Sequence, residues 1–251
     1  VATIVDGKIR ITGAGTASIT ASQEGNQNYE AAPNVSKTLT VSKATQTITM
    51  SELPEAKYGD ADIDPGATAS SGLTVTYSSN NTDVATIVDG KIRITGAGTA
   101  SITASQEGNQ NYEAAPNVSK TLTVSKATQT ITMSELPEAK YGDADIDPGA
   151  TASSGLTVTY SSDNPNVAAI VDGKVRIIGA GTASITASQG GNQNYEAAPN
   201  VSKTLTVGKA TQTITMPDLP AAKYGDADID PEATASSGLT VTYSSDNTDV
   251  A

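Results

Sequence analysis

Val1, Val84 and Val167 each open the same run of residues, so the chain repeats with a period of 83. Such a repeat constrains the fold more than any local pattern, because every copy has to reach the same structure. A unit of this length exceeds the roughly 20–50 residues of a solenoid turn. It falls within the about 50–250 residues of a self-contained domain. The period therefore predicts small domains in series, not a stacked solenoid. The copies starting at Val1 and Val84 differ at Asn80/Asp163, Thr82/Pro165 and Asp83/Asn166, all in one polar turn. The third copy drifts further: Ile9 corresponds to Val175, Thr12 to Ile178, Glu24 to Gly190, Ser51 to Pro217 and Gly66 to Glu232. The one inward change among these, Ile to Val, keeps a branched apolar side chain, as a common core demands. A fourth copy opens at Val250 and Ala251.

The strongest local signal lies in Val84–Ile94. Asp89-Gly90 separates two alternating runs, and Asp-Gly suits a type I′ turn because both central residues take positive φ. A two-residue loop fixes the register, with Val88 opposite Lys91, Ile87 opposite Ile92, Thr86 opposite Arg93 and Ala85 opposite Ile94. Alternation then puts Ala85, Ile87, Ile92 and Ile94 on an apolar face and Thr86, Val88, Lys91 and Arg93 on a wet one.

Around this hairpin the chain reads as short strands with regular turn signals. Thr45–Met50 places Ile48 and Met50 inward, and Leu53-Pro54 ends that strand because proline cannot donate to a ladder. Residues 57–66 read as a loop, 67–69 as a weak strand, and Leu73–Tyr77 as a strand with Leu73, Val75 and Tyr77 inward. Thr99–Ser105 turns Ala100, Ile102 and Ala104 to one face. After a long loop, Gln106–Pro116, the last strand Val118–Val124 puts Leu122 and Val124 inward. Lys120 falls on that same face, which predicts an edge, a bulge or a snorkelling side chain. About seven strands per period predict an all-β fold, a tandem array of Greek-key β-sandwiches. The expected division is half a repeat at 1–42, complete repeats at 43–125 and 126–208, and half a repeat at 209–251. The junction Ser125-Lys126-Ala127 has no Gly or Pro, which predicts restricted bending between neighbours. Gly208 replaces the serine of the other copies and predicts a freer joint there. Because the chain opens within a repeat, a longer array extending beyond this segment is expected.

Composition narrows function. There are 27 acidic and 15 basic residues, a net charge of −12. Nucleic-acid binding needs a basic surface and is not expected; the acidity favours solubility and resists self-association. The chain lacks Cys and His. That removes disulfides, thiol nucleophiles and the commonest metal and proton-transfer ligands. Small secreted animal domains are often disulfide-rich, so a cysteine-free chain fits a bacterial surface protein better. No run of about 18 apolar residues occurs, and no membrane insertion is expected from this segment.

Tyr77-Ser78-Ser79-Asn80, Val84-Ala85-Thr86-Ile87 and Gly96-Ala97-Gly98-Thr99-Ala100-Ser101-Ile102-Thr103-Ala104 resemble the bacterial Ig-like domain of the group 2 type. The flanking Gly108–Pro116 and Lys57–Asp60 resemble a subtype found in long tandem arrays of bacterial surface proteins. The resemblance covers every copy. It implies Ig-like sandwiches serving as stalk or spacer modules of large adhesins and secreted proteins, with no catalytic residues to carry over.

Candidate sites are few. Asp60, Asp62 and Asp64, repeated as Asp143, Asp145, Asp147 and Asp226, Asp228, Asp230, offer the hard oxygen ligands that Ca²⁺ takes. The EF-hand pattern fails, since Pro65 follows Asp64 and Ser71 holds the twelfth position. The preferred reading is a solvated loop whose aspartates bond to turn backbone while Ile63 turns inward. Calcium is thus a candidate cofactor only, one that would stiffen the array, and no metal ligands are assigned. Tyr58, Tyr77 and Tyr112 are expected to pack their rings and bond their hydroxyls to backbone. Thr45, Thr47, Thr49, Thr121 and Thr123 form outward rows typical of solvent-facing strands. The sequons at Asn80 and Asn117 carry no weight in a bacterial chain, and no lysine is placed for an isopeptide crosslink.

The expected function is a non-enzymatic stalk or spacer of an extracellular or bacterial cell-surface protein, projecting a distal domain. The partners are neighbouring repeats of the same chain. One alternative is a filament in which one copy's 209–251 completes another's 1–42 by strand complementation. The other is an array binding glycans or, with Ca²⁺, other cells.

Overall fold

The computed structural model describes residues 1–249; Val250 and Ala251, which open the fourth copy, lie outside the described residues. The chain forms two compact units, one of Val1–Gln129 with Gly190–Ala198 and one of Thr130–Gln189 with Pro199–Ala251. Every regular element among the described residues is a strand.

The first unit contains β1 (Ala2–Val5), β2 (Lys8–Ile11), β3 (Gly15–Gln23), β4 (Ala32–Val41), β5 (Ile48–Thr49) and β6 (Ala56–Lys57). It continues with β7 (Thr68–Ala69), β8 (Thr76–Ser79), β9 (Ala85–Val88), β10 (Lys91–Ile94), β11 (Gly98–Ser105) and β12 (Val118–Ser125). The β9–β10 hairpin takes the register its turn dictates, Val88 with Lys91 through Ala85 with Ile94. Asp89 and Gly90 have φ of 50° and 76°, the positive pair that a type I′ turn requires.

One layer has the strand order β6-β12-β11-β8. Strand β11 runs antiparallel to both neighbours, and β6 runs parallel to β12. The facing layer holds the β5–β7 pair and the hairpin, the latter bridged to the preceding loop through Ile63 and Ile92. Ile48, Met50, Ala85 and Ile92 from this layer meet Ala100, Ile102, Ala104, Leu122 and Val124 from the other. Ile92, Ile102 and Leu122 are completely buried. Sequence alternation thus becomes a two-layer core, with alanines on β11 leaving room for the isoleucines and leucine around them. The layout is that of an Ig-like β-sandwich.

Two details differ from the sequence expectation, and at Lys120 one of the expected alternatives is met. Lys57, read as the start of a loop, instead forms β6 with Ala56, and the strand joins β12 at Val124 and Ser125. Leu73 and Val75 are half-buried as alternation predicts, yet the ladder begins only at Thr76. Lys120 is half-buried and sends its ammonium out to Glu52. Strand β6 does not extend along β12 as far as Lys120, so that side of the ladder is open and the side chain snorkels. Strands β1–β4 carry the same residues as β9–β12 but leave Ile4, Ile9, Ile11 and Val35 exposed.

The second unit repeats the pattern with β13 (Ile131–Thr132), β14 (Ala139–Lys140), β15 (Thr151–Ala152), β16 (Thr159–Ser162), β17 (Ala168–Val171), β18 (Lys174–Ile177), β19 (Gly181–Ser188) and β20 (Val201–Gly208). The order β14-β20-β19-β16 matches that of the first unit. Val175 is fully buried in place of isoleucine, whereas Ile178, which replaces a threonine, is exposed. Two further strands, β21 (Ile214–Thr215) and β22 (Thr234–Ala235), pair with each other. Ile214, Met216, Leu219 and Leu239 beside them are exposed.

Candidate functional site

The aspartate loop is spent on structure. Asp60 Oδ2 accepts from Lys57 N at 2.7 Å, and Asp64 Oδ1 accepts from Gly66 N at 2.9 Å. Asp62 instead takes Arg93 in a fork, Nε to Oδ1 at 3.2 Å and Nη2 to Oδ2 at 2.9 Å. The fork holds the Asp62 carboxyl below its ordinary value, against a smaller upward push from burial, and raises the Arg93 guanidinium. Asp143, Asp145 and Asp147 repeat these roles with Lys140 N, Arg176 and Gly149 N. Asp226 and Asp230 accept from Lys223 N and Glu232 N, with Asp228 between them in sequence. Alternate aspartates therefore serve different partners. Among the described residues no group of three or more acidic, His or Cys side chains is arranged to hold a metal.

The tyrosines divide. Tyr77 packs on the core and its hydroxyl accepts from Ala67 N at 2.9 Å. Tyr58 also lies against the core, but its ring meets Tyr195 edge to face, with centroids 5.4 Å apart and planes at 82°.

Tyr195 belongs to the loop 190–198, which is part of the first unit. The preceding residue, Asn194, turns its Oδ1 to the backbone N of Ala97 at 2.9 Å. Ala97 sits in the corner Gly96-Ala97-Gly98 of the previous sequence copy. Asn111 does the same one copy earlier, accepting from Ala14 N at 2.9 Å in the corner Gly13-Ala14-Gly15. The corner has to be glycine-lined for the amide to enter. A Cβ on Gly13 would lie 2.9 Å from Asn111 Oδ1, and one on Gly96 would lie 2.3 Å from Asp83 O and 3.2 Å from Asn194 Oδ1.

The asparagine is delivered by a loop tied at several points. Asn109 Oδ1 accepts from the backbone N of Asn111 and of Tyr112, at 2.8 and 3.0 Å. Ala44 donates to Asn111 O at 2.8 Å and accepts from Glu113 N at 2.9 Å. Gln46, only 3% exposed, spans the loop's two limbs through Nε2, donating to Gln106 Oε1 at 2.6 Å and Glu113 O at 2.7 Å. Ala127 and Gln129 hold the loop that carries Asn194 in the same way. A buried amide with good partners is costly to remove, since its partners would be left unsatisfied.

The arrangement is a clasp between consecutive sequence copies. It offers no nucleophile, base or ligand set; its chemistry is recognition of one backbone N–H and one ring face. Sequence reading missed it because the loop looked like a solvated connection. The copies keep the whole run Gly25–Pro33, Asn28 and Tyr29 included, while the adjacent Glu24 becomes Gly190 in the third.

No family model matches the sequence, and no curated protein matches it. Several solved structures align with it loosely. A four-repeat segment of Drosophila N-cadherin, EC1-4, aligns with TM-score 0.33 and 13% identity over 80% of this chain and 59% of that one. Human mucin-like protocadherin EC1-2 aligns with TM-score 0.29 and 7% identity over 65% and 98%. Domains 1-6 of the surface layer protein SbsC align with TM-score 0.27 and 17% identity over 85% of this chain and 35% of that one.

Proposed function

We propose that this chain is a segment of a non-enzymatic spacer array, of the bacterial Ig-like kind, that holds a distal domain away from a cell surface or within a secreted protein. The observation that carries the reading is the clasp: the same side chain–backbone bond, 2.9 Å long, joins copies at both Ala14 and Ala97. A joint reproduced bond for bond serves mechanical continuity rather than ligand variety. The acidic surface, net charge −12, suits long exposed arrays that have to stay apart from one another. Among the described residues no helix is long and apolar enough to cross a membrane.

Small-angle scattering on this chain and on the double variant Asn111→Ala, Asn194→Ala tests the reading. The parent should scatter as an extended particle of narrow dimension range. The variant should keep its β circular dichroism but show a broader, more bent ensemble. A compact parent particle, or identical profiles for the two, would defeat it.

We propose further that the spacer needs no calcium, because the Asp60, Asp62 and Asp64 carboxylates already serve Lys57 N, Arg93 and Gly66 N. The melting temperature should be the same in excess calcium and in chelator; a rise of several degrees with calcium would restore the Asp loop as a metal site.

A further inference from the structure

The clasp brings two phenols together. Tyr58 follows β6, Tyr195 lies in the loop 190–198, and both belong to the first unit. Their rings meet edge to face with centroids 5.4 Å apart, and theirs is the one ring pair in contact among the described residues. Both side chains are half-buried. They are packed enough to be held in place and open enough to lose an electron to an oxidant in solution.

The backbone fixes the approach. Tyr58 N donates to Ser125 O at 2.9 Å. Tyr195 bridges to Ala127, donates from its N to Asn192 Oδ1 at 2.9 Å, and accepts at its O from Asn192 N at 3.0 Å. Ser125 and Ala127 are separated only by Lys126, so both tyrosines are tied to the same short piece of chain. The edge of one ring already lies against the other, as aromatic pairs prefer. A small turn about the side-chain bonds then brings carbons ortho to the two oxygens together.

The chain has no cysteine, so no disulfide can lock this joint. We propose that Tyr58 and Tyr195 form an oxidative crosslinking site, at which a one-electron oxidant driven by peroxide joins consecutive copies through a dityrosine bond. Each phenol loses one electron and one proton and becomes a phenoxyl radical, with unpaired spin on its ortho carbons. The two radicals pair by forming one carbon–carbon bond between ortho positions. The ortho hydrogens move to the oxygens and restore both phenols. Two electrons and two protons are lost in total, and one hydrogen peroxide, acting through a haem peroxidase, takes them up and leaves as two waters. The product is a covalent staple where Asn194 supplies only a hydrogen bond. This inference uses the ring geometry and is separate from the spacer reading.

Treating the 251-residue chain at low micromolar concentration with hydrogen peroxide and a haem peroxidase tests it. The oxidant is dosed until part of the fully exposed Tyr224 has reacted, which shows that it has acted. Rings in contact meet at an effective concentration of about millimolar or more, so this linkage should exceed linkages between chains by about a hundredfold. Trypsin should release a species with the summed mass of Tyr58–Lys91 and Ile177–Lys203 less two hydrogens, with dityrosine fluorescence. Tyr58→Phe keeps a ring in place, so it should melt near the parent, yet it should lose that species. Tyr77→Phe, in the same tryptic segment, should retain it. Absence of the linked species once Tyr224 has reacted overturns the inference, as does its survival in Tyr58→Phe. Neither result touches the spacer reading, which rests on Asn111 and Asn194.

Discussion

At the scale of single residues, the core and the charged pairs make separate predictions. Leu122 is fully buried between the layers. Leu122→Ala should cost about 2–5 kcal/mol, the usual range for a leucine cavity, read as a lower denaturant midpoint with the slope unchanged. The Asp62–Arg93 pair acts through pH. The Arg93 fork holds its folded carboxyl below the ordinary aspartate range, so its contribution is present above the unfolded titration and is lost as pH falls through the lower folded value. Asp62→Asn should therefore flatten the acid limb of the stability curve below about pH 4 and leave neutral behaviour little changed, because the pair is solvent-exposed. Inward residues such as Ile92, Ile102 and Leu122 were legible in the sequence because a period of two suffices to place them. Gln46 was not. It lies between outward threonines on the core-facing side, where alternation predicts an apolar residue. Its partners, Gln106 and Glu113, are about sixty residues away.

At the scale of elements, what was legible depended on the range of the cause. The β9–β10 hairpin was readable to the residue, since Asp89-Gly90 sets the turn and the turn sets the register. The long ladder between β11 and β12 followed from alternation on both strands. Strand β6 could not be read, because two residues after a proline carry no periodicity. What makes Ala56–Lys57 a strand is the free edge of β12, which only the folded layer provides. The loop before β12 was hidden for a similar reason: its asparagine has meaning only beside the glycine corner of the previous copy. Internal comparison of copies shows the run Gly25–Pro33 kept whole in all three, which marks the loop but not the residue within it.

At the scale of the whole molecule, the placing of β6 against β12 has a further consequence. Within residues 43–125 the polypeptide passes first through β5 in the facing layer, then through β6, and leaves through the end of β12. These two strands run parallel, joined at Val124 with Ala56 and Ser125 with Lys57. Tyr58 N to Ser125 O at 2.9 Å and Ser125 Oγ to Ala56 O at 3.1 Å reinforce the seam. Traction applied to the two ends drives parallel neighbours past each other lengthwise. The bonds of the seam then share the load and must break together, whereas a hairpin hauled from its open end peels apart one rung at a time. A tether built this way meets shear at β6 and β12 once β5 has let go, and both complete repeats carry the same seam.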